Sequence, residues 1–199
     1  MLQYTVNMGR PREHDENTAD ALLLAAEQLV HDHGVGALTV RALAAEAGTT
    51  TRAVYSLFGS REGLLGALGA RAFLLLERGL ARYPVTDDPV HDLVEIGLRV
   101  FRRQLIVEHP VLFTLGLQQQ PTDPPATRHV VLDAARHAWP SLVARTTRLG
   151  GDDPDGAATA YHALCEGLGA LELRGVLGER PKVATWRSSL HAMVRGLAR

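Results

Sequence analysis

The stretch that decides the fold runs from residue 39 to residue 58, TVRALAAEAGTTTRAVYSLF. Val40, Leu43, Ala44 and Ala47 share one face of a short helix, and Thr39 stands where a side-chain oxygen caps a helix start. Gly48 follows, and Thr50 is placed to cap a second short helix over residues 51–58, which Gly59 closes. Two short helices joined through Ala47-Gly48-Thr49 predict a helix-turn-helix, with each key residue type serving a separate steric purpose. Ala44 is small where the helices cross, Gly48 supplies a left-handed backbone, and Val54 and Leu57 tuck the second helix onto the first. The outward residues of that second helix are then Thr51, Arg52, Tyr55 and Ser56. Beside the positive end of its dipole they suit phosphate oxygens and base edges, Arg52 being the natural bidentate partner of guanine.

Working outward, a helix is predicted from Asn17 or Thr18, with Leu22, Ala26 and Leu29 at i, i+4 and i+7, until Gly34 stops it. Residues 1–16 read as a flexible arm whose Gly9-Arg10-Pro11-Arg12 resembles a minor-groove hook, which adds Arg10 and Arg12 to the candidate DNA contacts. Ser60 opens a long helix to about Arg82, ended by Tyr83-Pro84. Further helices are predicted over about 89–108, 110–117, 125–149, 154–177 and 183–197, with residues 118–125 as a loop. No run alternates as a half-buried strand does, so the fold class is all-α.

Residues 17–65 resemble the DNA-binding domain of the TetR family of bacterial transcriptional regulators. The resemblance rests on Ala25-Ala26, Gly34, Thr39-Val40-Arg41, Leu43-Ala44, Ala47-Gly48, Val54-Tyr55, Phe58, Ser60-Arg61-Glu62 and Leu64-Leu65. It implies that Tyr55 and Arg61 contact DNA phosphates and that Phe58 anchors the reading helix. Leu57 stands where the family usually carries a histidine, and Arg61 where it usually carries a lysine. Residues 161–177 resemble the regulatory-domain signature of one subgroup, with Glu166 in place of its histidine. The DNA-contact set is thus Thr39, Thr50, Thr51, Arg52, Tyr55, Ser56 and Arg61, with Arg10 and Arg12 from the arm.

The resemblance also implies two domains, 1–65 for DNA binding and 66–199 for effector binding and dimerisation. The effector pocket is expected to draw on Phe101, Leu105, Phe113, Leu117, Trp139 and Tyr161. Trp186, Leu190, Met193 and Leu197 recur at four, three and four residues, and Leu164, Leu168 and Leu171 lie on the preceding helix beside the small Ala160, Gly167 and Ala170. These two helices are expected to form a homodimer interface as a four-helix bundle.

Composition sets limits on these readings. Of 199 residues, 21 are Lys or Arg and 22 Asp or Glu, so any anion-binding surface is local and not global. Residues 39–61 hold three Arg against one Glu, which leaves the contact face mildly basic. A single cysteine, Cys165, allows no internal disulfide, and no apolar run approaches the length of a membrane span. The chain therefore reads as cytoplasmic. His129, Asp133 and His137, at i, i+4 and i+8, are the best rival chemistry and keep a small helical-bundle metal-binding protein or enzyme as the alternative. With no nucleophile motif and no phosphate loop, the expectation is a non-enzymatic repressor without cofactor, released from operator DNA by an unidentified small molecule.

Overall fold

A computed structural model describes residues 12–118, 122–179 and 182–198. Every regular element among them is helical: α1 (Arg12–His33), α2 (Val40–Glu46), α3 (Thr51–Phe58), α4 (Arg61–Arg82), α5 (Pro89–Ile96), α6 (Pro110–Leu117), α7 (Pro125–Thr147), α8 (Pro154–Leu173) and α9 (Lys182–Leu197). One 3-10 turn, Val35–Ala37, follows α1, and the chain beyond α5 continues in the wider i→i+5 winding over Gly97–Glu108. No helix among the described residues is long and apolar enough to cross a membrane. The chain divides into two compact units, Met1–Leu64 and Leu65–Arg199.

In the first unit, α1 begins five residues before the expected start, at Arg12, so Asn17 and Thr18 lie inside the helix and do not cap it. Gly34, at φ 79°, ends α1, its N–H donating to the Val30 carbonyl at 2.8 Å. Leu22, Ala26, Leu38, Leu43, Val54 and Leu64 are fully buried.

In the second unit the core centres on Phe101, Leu105, Phe113, Tyr161, Trp186 and Leu190, all essentially inaccessible to solvent. This corrects the dimer-interface expectation for three residues. Trp186 and Leu190 are already covered within one chain, and Leu168 is buried as well. At Leu190 the reason is Gly97: a Cβ there would stand 2.5 Å from Leu190 Cδ1 and 3.0 Å from the Tyr161 hydroxyl, so the chain crosses α9 closely at that point. Trp186 is held inward by its Nε1 donating to Glu172 of α8. Val194 completes the buried face, whereas Leu164, Leu171, Met193 and Leu197 stay half-exposed.

Three buried carboxylates brace this unit, each held by arginine. Glu172 accepts Arg102 Nη2 at 2.8 Å and Nε at 3.0 Å, together with Trp186 Nε1 at 2.8 Å. Glu95 accepts Arg187 at 2.6 Å and Arg99 at 3.0 Å. Asp92 accepts Arg148 at 2.7 Å and the Thr86 hydroxyl at 2.6 Å. Burial pushes the Asp92 and Glu95 carboxyls up, but these donors outweigh it and hold both below the usual carboxylate range. Buried Arg145 donates to the carbonyls of Leu80, Tyr83 and Pro84, which caps the C-terminus of α4.

Candidate nucleic-acid interface

The presentation of α3 follows from its two ends. Gly48 adopts φ 61°, a left-handed conformation in which a residue bearing a Cβ is strained, and the turn is tied by Thr49 N–H donating to the Ala44 carbonyl at 2.9 Å. Thr39 Oγ1 accepts the Ala42 N–H at 3.1 Å and Thr50 Oγ1 accepts the Ala53 N–H at 3.2 Å, so both expected caps form. Gly59, at φ 71°, closes α3 with its N–H on the Tyr55 carbonyl at 2.9 Å. Ser60 Oγ accepts the Gly63 N–H at 3.1 Å and so starts α4.

With Val54 fully buried, the helix phase turns Thr51, Arg52, Tyr55 and Ser56 to solvent, and Tyr55 is 54% exposed. Thr39 and Thr50 are exposed beside them, and so is Arg41 of α2, which sequence reasoning left out of the contact set. Phe58 is half-buried and not a full anchor; Val54 does that work. The amides at the start of α3 have no helical acceptor, which leaves donors beside a cationic and a phenolic side chain. That combination can pair with phosphate oxygens and base edges.

Arg61 departs from the expectation of a purely outward phosphate contact. Its Nε donates to the Leu38 carbonyl at 2.6 Å and its Nη2 to the Val35 carbonyl at 2.9 Å. The side chain ties the start of α4 to the segment between α1 and α2, a fork geometry that lysine lacks. Arg12 is the first residue of α1 and not part of an extended hook, while Arg10 lies outside the described residues.

The expected effector residues separate into two groups. Phe101 and Trp139 border an interior cavity of about 20 Å³, together with Leu76, Leu142 and His162. Leu105, Phe113, Leu117 and Tyr161 are instead packed into the core, where α8 approaches so closely at Gly169 that a Cβ would meet Ile106 Cδ1 at 2.5 Å and Phe113 at 2.8 Å. Tyr161 donates its hydroxyl to the Leu93 carbonyl at 2.6 Å. His162, which spacing did not single out, lies edge-on to Trp139 (6.0 Å between centroids) and Phe101 (5.9 Å), and burial lowers its pKa. Burial likewise pushes the Cys165 thiol up, as suits an inert core residue.

His129, Asp133 and His137 are exposed on α7, where His137 Nδ1 lies 2.8 Å from the Asp133 carbonyl. Among the described residues no three His, Cys, Asp or Glu side chains come together as metal ligands.

The sequence profile of the bacterial regulatory proteins, tetR family, matches residues 22–68, which span the second half of α1, all of α2 and α3 and the first turns of α4. Among solved structures, NalD of Pseudomonas aeruginosa, described as the secondary repressor of the MexAB-OprM multidrug efflux pump, is 26% identical. That match covers 94% of this chain and 98% of NalD, with a TM-score of 0.67. A Rhodococcus protein of unknown function is 23% identical over 99% of this chain and 100% of its own, with a TM-score of 0.75. PfmR, a TetR family transcriptional regulator from Thermus thermophilus, is 22% identical over 89% of this chain and 99% of its own, with a TM-score of 0.64. No curated protein matches the chain.

Proposed function

We propose that this chain, a TetR family regulator, binds DNA through its first unit and is a repressor, held on operator DNA as a homodimer and released by a small molecule. The observation that carries the reading is α3 itself, which buries Val54 and presents Thr51, Arg52, Tyr55 and Ser56 outward from a glycine-hinged turn. One such head makes too few base contacts to select a site in a genome, so two heads about 34 Å apart are the physical solution. Arg41, Arg52 and Tyr55 fix the head on phosphates and bases, while Arg61 ties the start of α4 to the Leu38 and Val35 carbonyls.

The dimer surface in this reading is the outward face of α8 and α9. Exposed Ala160, Gly167 and Gly196 lie there with half-exposed Leu164, Leu171, Met193 and Leu197. A Cβ at Gly167 or Gly196 meets no atom within 4 Å, so these positions leave room for a partner helix to approach. The effector belongs to the second unit, residues 65–199. The interior cavity of about 20 Å³ holds no more than a water, so an effector entering beside His162 has to part α4 from α7 and α8. No cofactor enters this scheme.

The test is a gel shift with the intergenic DNA adjoining the gene, in the presence of excess nonspecific DNA. Specific retention lost in Arg52→Ala supports the reading. A wild-type protein that is folded yet retains no such DNA overturns it.

A further inference from the structure

A groove of about 560 Å³ opens between the C-terminal half of α4 and the i→i+5 stretch, lined by Arg78, Arg82, Tyr83, Arg99, Val100 and Gln104. Its volume lies within the range of about 300–1,000 Å³ typical of small-ligand sites, whereas the interior cavity is far smaller. Val100 forms its apolar floor because Gly79 lets the two helices close up: a Cβ on Gly79 would stand 2.5 Å from Val100 Cγ1. The wide winding brings Arg99 and Gln104, five residues apart, onto one face, and such windings recur at functional sites.

Most of the charge in this groove is left out of the ion pairs among the described residues. Arg78 and Arg82 are exposed, lie four residues apart on α4 and take part in no ion pair among the described residues. Like charges at that spacing oppose the helix unless something offsets them. The dull account, that they satisfy the C-terminus of α4, is already filled by Arg145, whose guanidinium holds the Leu80, Tyr83 and Pro84 carbonyls. Arg99 does meet Glu95, but that carboxylate is divided between Arg99 and Arg187. Three guanidinium groups therefore surround an apolar floor with one shared acid among them.

We propose that this groove binds a small organic anion, a carboxylate or phosphate head carried on a short apolar body, with Arg78, Arg82 and Arg99 clamping the oxyanion and Val100 and Leu75 receiving the body. Guanidinium forks suit both head groups, which offer paired oxygens. The inference does not rest on the repressor reading, since the binding is measured without DNA.

The test follows the arginine Nε–Hε signals of the full chain, labelled with 15N-arginine, during titration with octyl phosphate, octanoate, inorganic phosphate and octanol. Single Arg→Gln variants at Arg78, Arg82, Arg99, Arg41 and Arg52 assign the signals. Saturable shifts of Arg78, Arg82 and Arg99 with octyl phosphate or octanoate are expected, and the stronger of the two identifies the head group. Binding at least tenfold weaker for inorganic phosphate, no shift with octanol, and at least tenfold weaker binding in the Arg78→Gln/Arg82→Gln variant complete the expected result. Shifts confined to Arg41 and Arg52, no saturable shift at all, or unchanged affinity in the double variant would overturn the proposal. The wild-type titration decides the matter even if the double variant fails to fold.

Discussion

Gly69 of α4 and Gly116 of α6 meet backbone to backbone: a Cβ on Gly116 would stand 2.5 Å from the Gly69 carbonyl oxygen, and one on Gly69 would stand 2.6 Å from the Leu115 carbonyl oxygen. Neither residue is in a left-handed conformation, so both are glycine because of the approach and not because of φ. Backbones this close cannot slide without clashing, which makes α6 and this part of α4 one mechanical piece.

Gly116→Ala should therefore cost about 1–3 kcal/mol, the range for overpacking a tight contact, because its new methyl meets backbone and the Ala72 Cβ and no flexible side chain. Gly36→Ala, where a Cβ meets nothing within 4 Å, should stay within about 0.5 kcal/mol of wild type. Urea unfolding of the two variants side by side checks this, and equal stabilities would refute the close crossing.

Arg52→Ala and Tyr55→Ala should each weaken specific DNA binding by about tenfold or more while leaving the melting temperature unchanged, since both side chains face solvent. Gly48→Val should behave differently. At φ 61° a β-branched residue carries about 1–3 kcal/mol of strain, so stability and DNA binding should fall together. Gel shifts paired with thermal melts separate the two patterns.

Arg61→Lys should lower the stability of the first unit by about 1–2 kcal/mol, because an ammonium cannot serve the Leu38 and Val35 carbonyls as a fork does. Faster amide exchange around residues 34–40 is the specific readout. A purely phosphate-binding Arg61 would leave that exchange untouched and alter only DNA affinity.

What the sequence made legible was local. The caps at Thr39 and Thr50, the left-handed glycines at 34, 48 and 59 and the outward face of α3 all follow from residues within one turn of each other. The apolar period of α9 was equally legible, but not the identity of what covers it. A stripe says that Trp186 and Leu190 are buried, whereas Gly97 against Leu190 and Glu172 against the Trp186 indole, both outside α9, place them inside their own chain. Long-range ion pairs such as Arg102 with Glu172, 70 residues apart, leave no local signal, and neither does the division of the six expected pocket residues between cavity wall and core. Arg78 and Arg82 did carry a signal, two like charges one turn apart, that gains meaning only once Arg145 is seen to cap the same helix.

The acid dependence of stability follows from Asp92 and Glu95. Their folded pKa values lie below the ordinary 3.8 and 4.5, so the unfolded chain takes up protons first as the pH falls. The stabilisation is fully present above those ordinary values and is lost as the pH drops through the lowered folded ones. Urea midpoints should hold from pH 7 to about 5 and then decline below about 4.5. Arg148→Met should make the decline shallower, because Asp92 then loses a donor that favours its charged form. An identical slope in that variant would remove Asp92 from the account.

The dimer surface is best tested where a lone chain has room to spare. Gly167 and Gly196 are exposed helical positions whose added Cβ meets no atom within 4 Å, so Gly167→Arg with Gly196→Arg leaves the isolated subunit unstrained. Between two subunits packed through α8 and α9, the same side chains would hold the backbones apart and set like charges across a two-fold axis. The expected product is a folded helical monomer by sedimentation, with unchanged circular dichroism and at least tenfold weaker operator binding. Leu190→Glu makes the contrast: that side chain is fully buried against Gly97, and a carboxylate there should unfold the subunit before it affects association. If the glycine variant remains dimeric at micromolar concentration, the subunits meet through some other face.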